Sequence, residues 1–185
     1  MNFAEYNVKD ANLEEILLAL KSLDTVEAVA LGGSRSTGAS DENSDYDIYV
    51  YCAEIPTAET RENLLGKYCS IAEFGNHYWE SEDNTVMNNG IPVDIIYREV
   101  DRFGRYIDTV IKGGKAFNGY TTAFWHNIKN SKVLFDKTGT FTKFRDMAQI
   151  DFPENLRSAI IKNNRNLLNG KLPSYDRQVK KAQER

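Results

Sequence analysis

The spacing of apolar residues divides this chain into short strands and amphipathic helices. Ala11–Leu23 carries apolar residues at helical intervals and predicts a helix. Val26–Leu31 and Tyr46–Cys52 are short, apolar and rich in β-branched or aromatic residues, which is typical of buried strands. Between them, Ser34–Ser40 follows a Gly-Gly turn and is compatible with one or two turns of helix. The pattern therefore places a short loop–helix connection between two successive strands.

The same periodicities predict the remaining elements. They are a helix at Thr57–Ile71, strands at His77–Val86 and Ile91–Val100 joined by the turn Asn89-Gly90, helices at Asp101–Ala116 and Thr121–Asn130, a strand at Val133–Asp136, and helices at Thr140–Met147 and Glu154–Asn169. We therefore expect an α/β (α+β) fold with a mixed β-sheet flanked by helices. Residues 1–150 would form the main domain. Residues 151–185 would form a partial helical appendage, the start of a truncated helical domain.

The charge balance argues against a protein that binds nucleic acid through a basic face. The net charge is −4 and the pI is about 5.3, whereas such proteins cluster Lys and Arg. A nucleotide ligand is compatible with this negative charge, because bound metal can neutralise its phosphates. A cationic small substrate would suit an acidic cleft. The two cysteines lack metal or disulfide spacing, the N-terminus lacks a signal-peptide pattern, and no apolar run reaches the ~20 residues of a membrane span. We expect a cytoplasmic protein with reduced thiols and no membrane contact.

The turn Gly33-Ser34 is a candidate anion site. A glycine turn ahead of a helix presents free backbone N–H groups, and glycine permits close approach of a ligand to the backbone. Ser34 adds a hydroxyl donor, and Arg35 adds a cation. Gly-Gly-Ser also occurs as a plain turn, so this pattern by itself leaves both interpretations open.

Three carboxylates form a second candidate site. Asp45 and Asp47 are two residues apart in a predicted strand, so their side chains project from one face. Paired like charges are costly without a cation between them, and carboxylate oxygens suit Mg²⁺; two solvated carboxylates at a strand end are the alternative. Asp94 lies in an apolar strand and needs a partner if it is buried. That partner is the Asp45/Asp47 site if the two strands are adjacent, or else Arg98 or Arg102.

The three parts together resemble a known enzyme family. Gly33-Ser34, the segment Asp45-Tyr46-Asp47-Ile48 after a gap of ten residues, and the later Asp94 resemble the nucleotidyltransferase superfamily that includes DNA polymerase β. The form GGSRSTG…SDYDIYV is most similar to its small bacterial branch, the antibiotic (kanamycin- and streptomycin-type) and minimal nucleotidyltransferases. The resemblance covers roughly Ala11 to Tyr97.

The resemblance implies the nucleotidyltransferase fold, a nucleotide site and a metal site. The nucleotide-binding residues would be Gly33 and Ser34, which hold the β- and γ-phosphates, and Arg35. The catalytic and metal-binding residues would be Asp45, Asp47 and Asp94, which hold two Mg²⁺ ions. Asp94 would also act as, or position, the base for the acceptor hydroxyl.

The implied function is Mg²⁺-dependent transfer of a nucleoside monophosphate, AMP from ATP, to a hydroxyl of a small molecule such as an aminoglycoside-like antibiotic. Two alternatives stay open: a minimal, antitoxin-type nucleotidyltransferase that modifies a partner protein, and a nucleotide-binding module without turnover. Antibiotic-modifying relatives carry a C-terminal helical domain that builds the acceptor pocket, and here only one good helix and a polar tail follow Pro153. A protein partner, a homo-oligomer or a continuation of the chain would then complete the acceptor site.

Overall fold

The computed structural model describes residues 10–41, 44–117 and 121–165. The strands are β1 (Val26–Leu31), β2 (Tyr46–Cys52), β3 (Cys69–Asn76), β4 (Ser81–Met87), β5 (Pro92–Glu99) and β6 (Lys132–Asp136). The helices are α1 (Ala11–Lys21), α2 (Gly33–Thr37), α3 (Ala58–Leu65), α4 (Val100–Ile111), α5 (Ala123–Asn130) and α6 (Thr140–Ala148). A turn of 3₁₀ helix, Gly66–Tyr68, leads into β3, and residues 154–165 are helical.

The six strands form a mixed sheet in the order β3-β4-β5-β2-β1-β6. β2 and β5 pair in parallel near its centre, and the other neighbouring strands pair antiparallel. Because parallel strands begin at the same edge of a sheet, the residues that open β2 and β5 lie side by side. The expected mixed sheet with flanking helices is confirmed.

Strand alternation builds one core on each face of the sheet. Ile48 and Val50 of β2 belong to the first core, which also buries α1. Tyr49 and Tyr51 belong to the second core, beneath α4, α5 and α6. Each large apolar side chain that is fully buried contributes about 1.5–3 kcal/mol to stability. The predicted division of β2 into two faces is therefore confirmed, and the two cores hold the sheet rigidly between layers of helix.

One predicted helix is wrong in its second half. The helix expected at Thr57–Ile71 ends at Leu65, and β3 begins at Cys69. β3 is an edge strand, and its first residues are largely exposed on both faces. It therefore carries no alternation of apolar and polar positions that would reveal a strand. The strand expected at His77–Val86 likewise begins only at Ser81, because residues 77–80 connect β3 to β4.

Other boundaries shift by a few residues. α2 ends at Thr37 instead of Ser40, because Gly38 takes a left-handed conformation with φ +78°. The helix expected at Glu154–Asn169 is helical over the described residues 154–165, and Leu156 packs into the second core. The rest of that helix and the charged tail lie outside the described residues, and the division at residue 151 stays a prediction. In the part of the chain that the structure describes, no helix is both long enough and apolar enough to cross a membrane.

A buried ion pair ties α3 to the outer strands. Nη2 of Arg61 lies 3.4 Å from Oδ1 of Asp83, and the two side chains are 2% and 0% exposed. Asp83 Oδ1 also accepts a hydrogen bond of 2.9 Å from the backbone N–H of Gly75. Burial raises the pKa of Asp83 above its ordinary value, although the Gly75 hydrogen bond and Arg61 oppose that shift. The Arg61 guanidinium also lies over the ring of Tyr97, 4.4 Å from its centroid.

Candidate active site

The turn between β1 and α2 packs directly against Asp47. The backbone N–H of Gly32 donates a 2.8 Å hydrogen bond to the carbonyl oxygen of Asp47. Gly33 adopts φ +59°, and a Cβ at this position would lie 1.7 Å from Oδ2 of Asp47. Only glycine fits there, because any side chain would overlap the carboxylate and would also carry the strain of a left-handed backbone. The two predicted sites therefore meet as one, with the turn on one side and the carboxylate on the other.

Ser34 is half-buried, and its hydroxyl makes no hydrogen bond to the described residues. The neighbouring hydroxyls are engaged, since Ser36 Oγ donates to the Gly33 carbonyl at 2.8 Å and Thr37 Oγ1 donates to the Ser34 carbonyl at 3.1 Å. Ser34 and Gly33 line a cavity of about 200 Å³. The predicted phosphate turn therefore offers an uncommitted hydroxyl donor beside an open space.

Parallel pairing brings Asp47 and Asp94 together. The two residues are direct partners in the register of β2 and β5, and their side chains share one face of the sheet. Asp45 lies two residues before Asp47 and is exposed. Burial, then the negative charges of Asp45 and Asp94, raise the pKa of Asp47 above its ordinary value. The sheet therefore places Asp94 beside Asp47, and the negative charges of Asp45 and Asp94 disfavour ionisation of Asp47.

A row of amides continues from Asp94 across the sheet. Asn84 of β4 is the register partner of Asp94, and its Nδ2 donates to Asp94 Oδ1 at 2.9 Å. Asn76 of β3 donates in turn to Asn84 Oδ1 at 2.9 Å. Sequence reasoning missed both asparagines, because the predicted elements left residues 72–76 unassigned and the register of β4 depends on the sheet. The row orients the Asp94 carboxylate without neutralising it.

Within the described residues, neither Arg98 nor Arg102 forms an ion pair with Asp94. Arg98 instead forms a two-pronged ion pair with Glu80, through Nε to Oε2 at 2.6 Å and Nη2 to Oε1 at 2.8 Å. Its guanidinium also lies 4.5 Å from the ring centroid of Tyr49 and 4.6 Å from that of Phe103. The Arg98 guanidinium therefore contacts Glu80 and aromatic rings of the second core, and it forms no ion pair with Asp94.

The donor set fits Mg²⁺. None of Asp45, Asp47 and Asp94 forms an ion pair with the described residues. Three carboxylates of this kind supply the hard oxygen ligands that Mg²⁺ prefers, together with phosphate oxygens and water. Among the described residues, no three acidic, histidine or cysteine side chains lie close enough together to hold one metal ion.

The Arg35 side chain donates hydrogen bonds to backbone carbonyls. Its Nε donates to the carbonyls of Ser44 at 2.9 Å and Asp45 at 3.0 Å, and its Nη2 also donates to the Ser44 carbonyl. The guanidinium lies 4.0 Å from the ring centroid of Tyr46. Arg35 thus anchors the start of β2, the backbone that carries Asp45 and Asp47. Its predicted contact with phosphate stays a prediction.

The sequence profile of the nucleotidyltransferase domain matches residues 13–117, more than half of the chain and all of the carboxylates and turn described above. The chain belongs to the nucleotidyltransferase family. The expected enzyme class and fold are confirmed. No curated protein sequence matches it.

Solved structures similar to this nucleotidyltransferase include two toxin–antitoxin structures. One, with AMP-PNP, is 17% identical over 90% of this chain and 97% of that chain, with a TM-score of 0.42. The other, a mutant of the MntA–HpeT pair, is 15% identical over 92% of this chain and 99% of that chain, with a TM-score of 0.42. Cid1 with its short product ApU is 18% identical over 54% of this chain and 34% of that chain, with a TM-score of 0.37.

The nucleotidyltransferase has an open acidic surface beside Asp94. On β4, Glu82 is half-exposed, whereas Asp83, on the opposite face, is buried. Burial and the charge of Asp94, followed by other carboxylates, raise the pKa of Glu82 above its ordinary value. Tyr78 and Trp79, in the connection before β4, are 82% and 80% exposed. Glu82 therefore adds negative charge beside Asp94, and the exposed aromatic residues lie in the connection that precedes β4.

Proposed function

We propose that this nucleotidyltransferase transfers a nucleoside monophosphate, AMP from ATP, to a hydroxyl group in a Mg²⁺-dependent reaction. The observation that carries the proposal is the register pairing of Asp47 with Asp94, with Gly33 packed against the Asp47 carboxylate. This pairing places unneutralised carboxylates beside a turn with a spare hydroxyl donor. Such an arrangement suits a ligand that combines phosphate with divalent metal.

Asp45, Asp47 and Asp94 would hold two Mg²⁺ ions. When bound, the ions would neutralise the charge of the phosphate oxygens and stabilise the attacking and leaving oxygens of the displacement. Gly33 and Ser34 would bind the outer phosphates through backbone N–H and hydroxyl donors. Arg35 is included as a candidate phosphate contact, in addition to its hold on the start of β2.

The reaction forms a bond between the acceptor oxygen and the α-phosphorus of ATP and breaks the bond to the β-phosphate oxygen. Pyrophosphate leaves, and AMP remains on the acceptor. Asp94 would accept the proton of the acceptor hydroxyl, or orient that hydroxyl, before the proton passes to solvent. Asn84 supports this role, because its hydrogen bond at 2.9 Å fixes one carboxylate oxygen and leaves the other available.

The acceptor we favour is a cationic small molecule such as an aminoglycoside-like antibiotic. Glu82 and the carboxylates it faces give the approach to Asp94 a negative charge that complements an amine-rich acceptor. A second candidate is a hydroxyl side chain of a partner protein, as in an antitoxin. The exposed Tyr78 and Trp79 favour it, because exposed aromatic residues are typical of protein interfaces.

Thermal unfolding with ATP and Mg²⁺ tests the nucleotide site. The wild type should be stabilised by the pair, and Asp47→Asn should remove that shift. Asp24→Asn is the matched control, because Asp24 is an exposed carboxylate in the turn before β1. If no nucleoside triphosphate stabilises the wild type, the proposed reaction is wrong.

Transfer of label from α-labelled ATP identifies the acceptor. Label on an aminoglycoside, sensitive to Glu82→Gln, supports the small-molecule acceptor. Label on a protein in a cell lysate, with none on the aminoglycosides, supports the protein acceptor. Stabilisation by ATP without transfer to either would identify a nucleotide-binding module without turnover.

A further inference from the structure

The row of amides that begins at Asp94 continues beyond the sheet. Asn84 Nδ2 donates to Asp94 Oδ1 at 2.9 Å, and Asn76 Nδ2 donates to Asn84 Oδ1 at 2.9 Å. Asn76 Oδ1 in turn accepts the backbone N–H of Tyr78 at 3.0 Å, in the connection before β4. Since neighbouring strands lie about 4.8 Å apart, β3 is roughly 10 Å from β5. Asn76 therefore acts on Asp94 only through Asn84.

Both ends of the row impose the same direction of donation. A backbone N–H can only donate, so the Tyr78 N–H holds the oxygen of the Asn76 amide and turns its nitrogen toward Asn84. A carboxylate can only accept, so Asp94 needs the nitrogen of Asn84. The two requirements agree, because Asn84 presents its oxygen to Asn76 and its nitrogen to Asp94. The orientation of the Asn84 amide therefore depends on a residue two strands away from Asp94.

An irregularity in β3 directs Asn76 toward Asn84. The register of β3 against β4 shifts between Glu73 and Asn76, and Gly75 lies within this shift with φ +82°. Such irregularities re-aim the side chains that follow them, and here Asn76 reaches Asn84 diagonally, since the register partner of Asn84 is Glu73. The Gly75 N–H donates to Asp83 Oδ1 at 2.9 Å. The buried Asp83 therefore stabilises the segment that presents Asn76.

The connection 77–80, which supplies the Tyr78 N–H, is also held at its other end. Glu80 pairs with the buried Arg98 through two contacts of 2.6 and 2.8 Å. Arg98 lies four residues after Asp94 on the same face of β5. The connection is thus attached to β5 twice, at Asp94 through the row and at Arg98 through Glu80. These two attachments make the Tyr78 N–H a fixed anchor for the direction of the row.

We propose that Asn84 and Asn76 are positioning residues for nucleotidyl transfer, which act by holding one oxygen of Asp94 on an N–H donor. This inference rests on the proposed function, because it assumes that Asp94 binds the metal or the acceptor. Oδ1 accepts the hydrogen bond from Asn84, which leaves Oδ2 for a metal ion or for the acceptor hydroxyl. Hydrogen bonds to metal-binding carboxylates contribute about 10–100-fold to metal affinity or activity.

The affinity of the full chain for Mn²⁺ in the presence of α,β-methylene ATP tests this role without any acceptor. Mn²⁺ replaces Mg²⁺ so that binding can be followed by electron paramagnetic resonance, and the analogue cannot transfer its nucleotide. Asn84→Ala should weaken Mn²⁺ binding about 10–100-fold. Asn76→Ala should weaken it less, because Asn84 keeps its own amide. Asn88→Ala is the matched control, because Asn88 is exposed after β4 and also donates one hydrogen bond, of 3.0 Å, to the Lys67 carbonyl.

Asn76→Asp separates the row from simple packing. Aspartate has the shape of asparagine and still accepts the Tyr78 N–H, but an ionised aspartate cannot donate to Asn84. The Asn84 nitrogen is then drawn to the new carboxylate, and its oxygen faces Asp94. Mn²⁺ binding should therefore be weaker in Asn76→Asp than in Asn76→Ala. A packing role would give the opposite order, and so would the added negative charge, which attracts a cation and is measured separately by Asn88→Asp.

The outcomes separate this inference from the proposed function. If the wild type binds no Mn²⁺ with the analogue, the proposed function fails and this inference fails with it. If the wild type binds Mn²⁺ and a folded Asn84→Ala binds it equally well, only the positioning role is wrong. Binding by Asn76→Asp as tight as that of Asn76→Ala, or tighter, would also overturn the inference. Urea unfolding identifies the folded variants, and if Asn84→Ala does not fold, the order of the two Asn76 variants decides.

Discussion

Gly33→Ala should lower activity by displacing Asp47. The added Cβ would lie 1.7 Å from Oδ2 and 2.8 Å from Cγ of Asp47, whereas real Cβ contacts below 3.0 Å are essentially absent. The carboxylate must therefore retreat by roughly 1.3 Å or more, unless the turn itself moves. Misplacement of a catalytic group by about 1 Å can cost about 100-fold in rate. We expect a loss of about that size in nucleotidyl transfer.

The same substitution should lower stability by a moderate amount. A non-glycine residue in the left-handed region costs about 1–2 kcal/mol, and Gly33 has φ +59°. An off-rotamer Asp47 side chain adds about 0.5–1.5 kcal/mol. The total, roughly 1.5–3.5 kcal/mol, leaves a domain of ordinary stability folded. The lost activity can therefore be measured on folded protein.

Gly38→Ala is the matched control. Gly38 also has a positive φ, +78°, but nothing lies within 4 Å of its added Cβ. It should show the backbone cost of about 1–2 kcal/mol without displacing a carboxylate. Urea unfolding measures the stability of both variants, and transfer from labelled ATP measures activity.

The two variants should therefore separate stability from activity. Gly38→Ala should lose stability and keep transfer, whereas Gly33→Ala should lose both. Full transfer activity in folded Gly33→Ala would refute the reasoning. An equal loss of activity in both variants would also refute it, because the effect would then come from strain in α2 and not from Asp47.

Three further predictions concern stability. Without metal, Asp47→Asn should raise the free energy of unfolding by about 1 kcal/mol near neutral pH. Because burial raises the pKa of Asp47, the wild type should lose stability as the pH rises from below the ordinary pKa of Asp through the raised pKa. Urea unfolding at a series of pH values should show a smaller dependence of stability on pH in the variant. Asp83→Ala should lower the free energy of unfolding by about 3–5 kcal/mol, because it leaves Arg61 buried and unpaired. The double variant Arg61→Met/Asp83→Ala should recover part of that loss, and a double variant no more stable than Asp83→Ala would contradict this. Arg35→Met should cost about 1.5–3 kcal/mol through lost hydrogen bonds to Ser44 and Asp45, and an unchanged thermal midpoint would disprove that anchoring role.

Local signals were sufficient for the central stretch. β1 and β2 are short apolar runs, and the structure confirms both the strands and the faces assigned to Ile48 and Tyr49. The turn at Gly33-Ser34 was likewise evident from residue type. These features depend on sterics and burial within a few residues, so they can be inferred without knowledge of the fold.

Local signals failed at the sheet edge. β3 has few buried side chains, and its pairing with β4 supplies the backbone hydrogen bonds that a helix would otherwise provide. Propensity alone could not detect that pairing, because it depends on register partners that lie 6 to 18 positions away. Asn76 and Asn84, which extend the row from Asp94, were missed for the same reason.

The sequence by itself determined the chemistry of the candidate site: a glycine where a side chain would collide, a hydroxyl, and three carboxylates at spacings typical of a nucleotidyltransferase. Only the tertiary structure decided how these groups meet. Parallel pairing of β2 with β5 sets Asp94 beside Asp47, and the packing of α5 against α2 forms a cavity beside the Gly33-Ser34 turn. The physical reason is that residue type acts locally, whereas register and helix packing depend on contacts between distant segments.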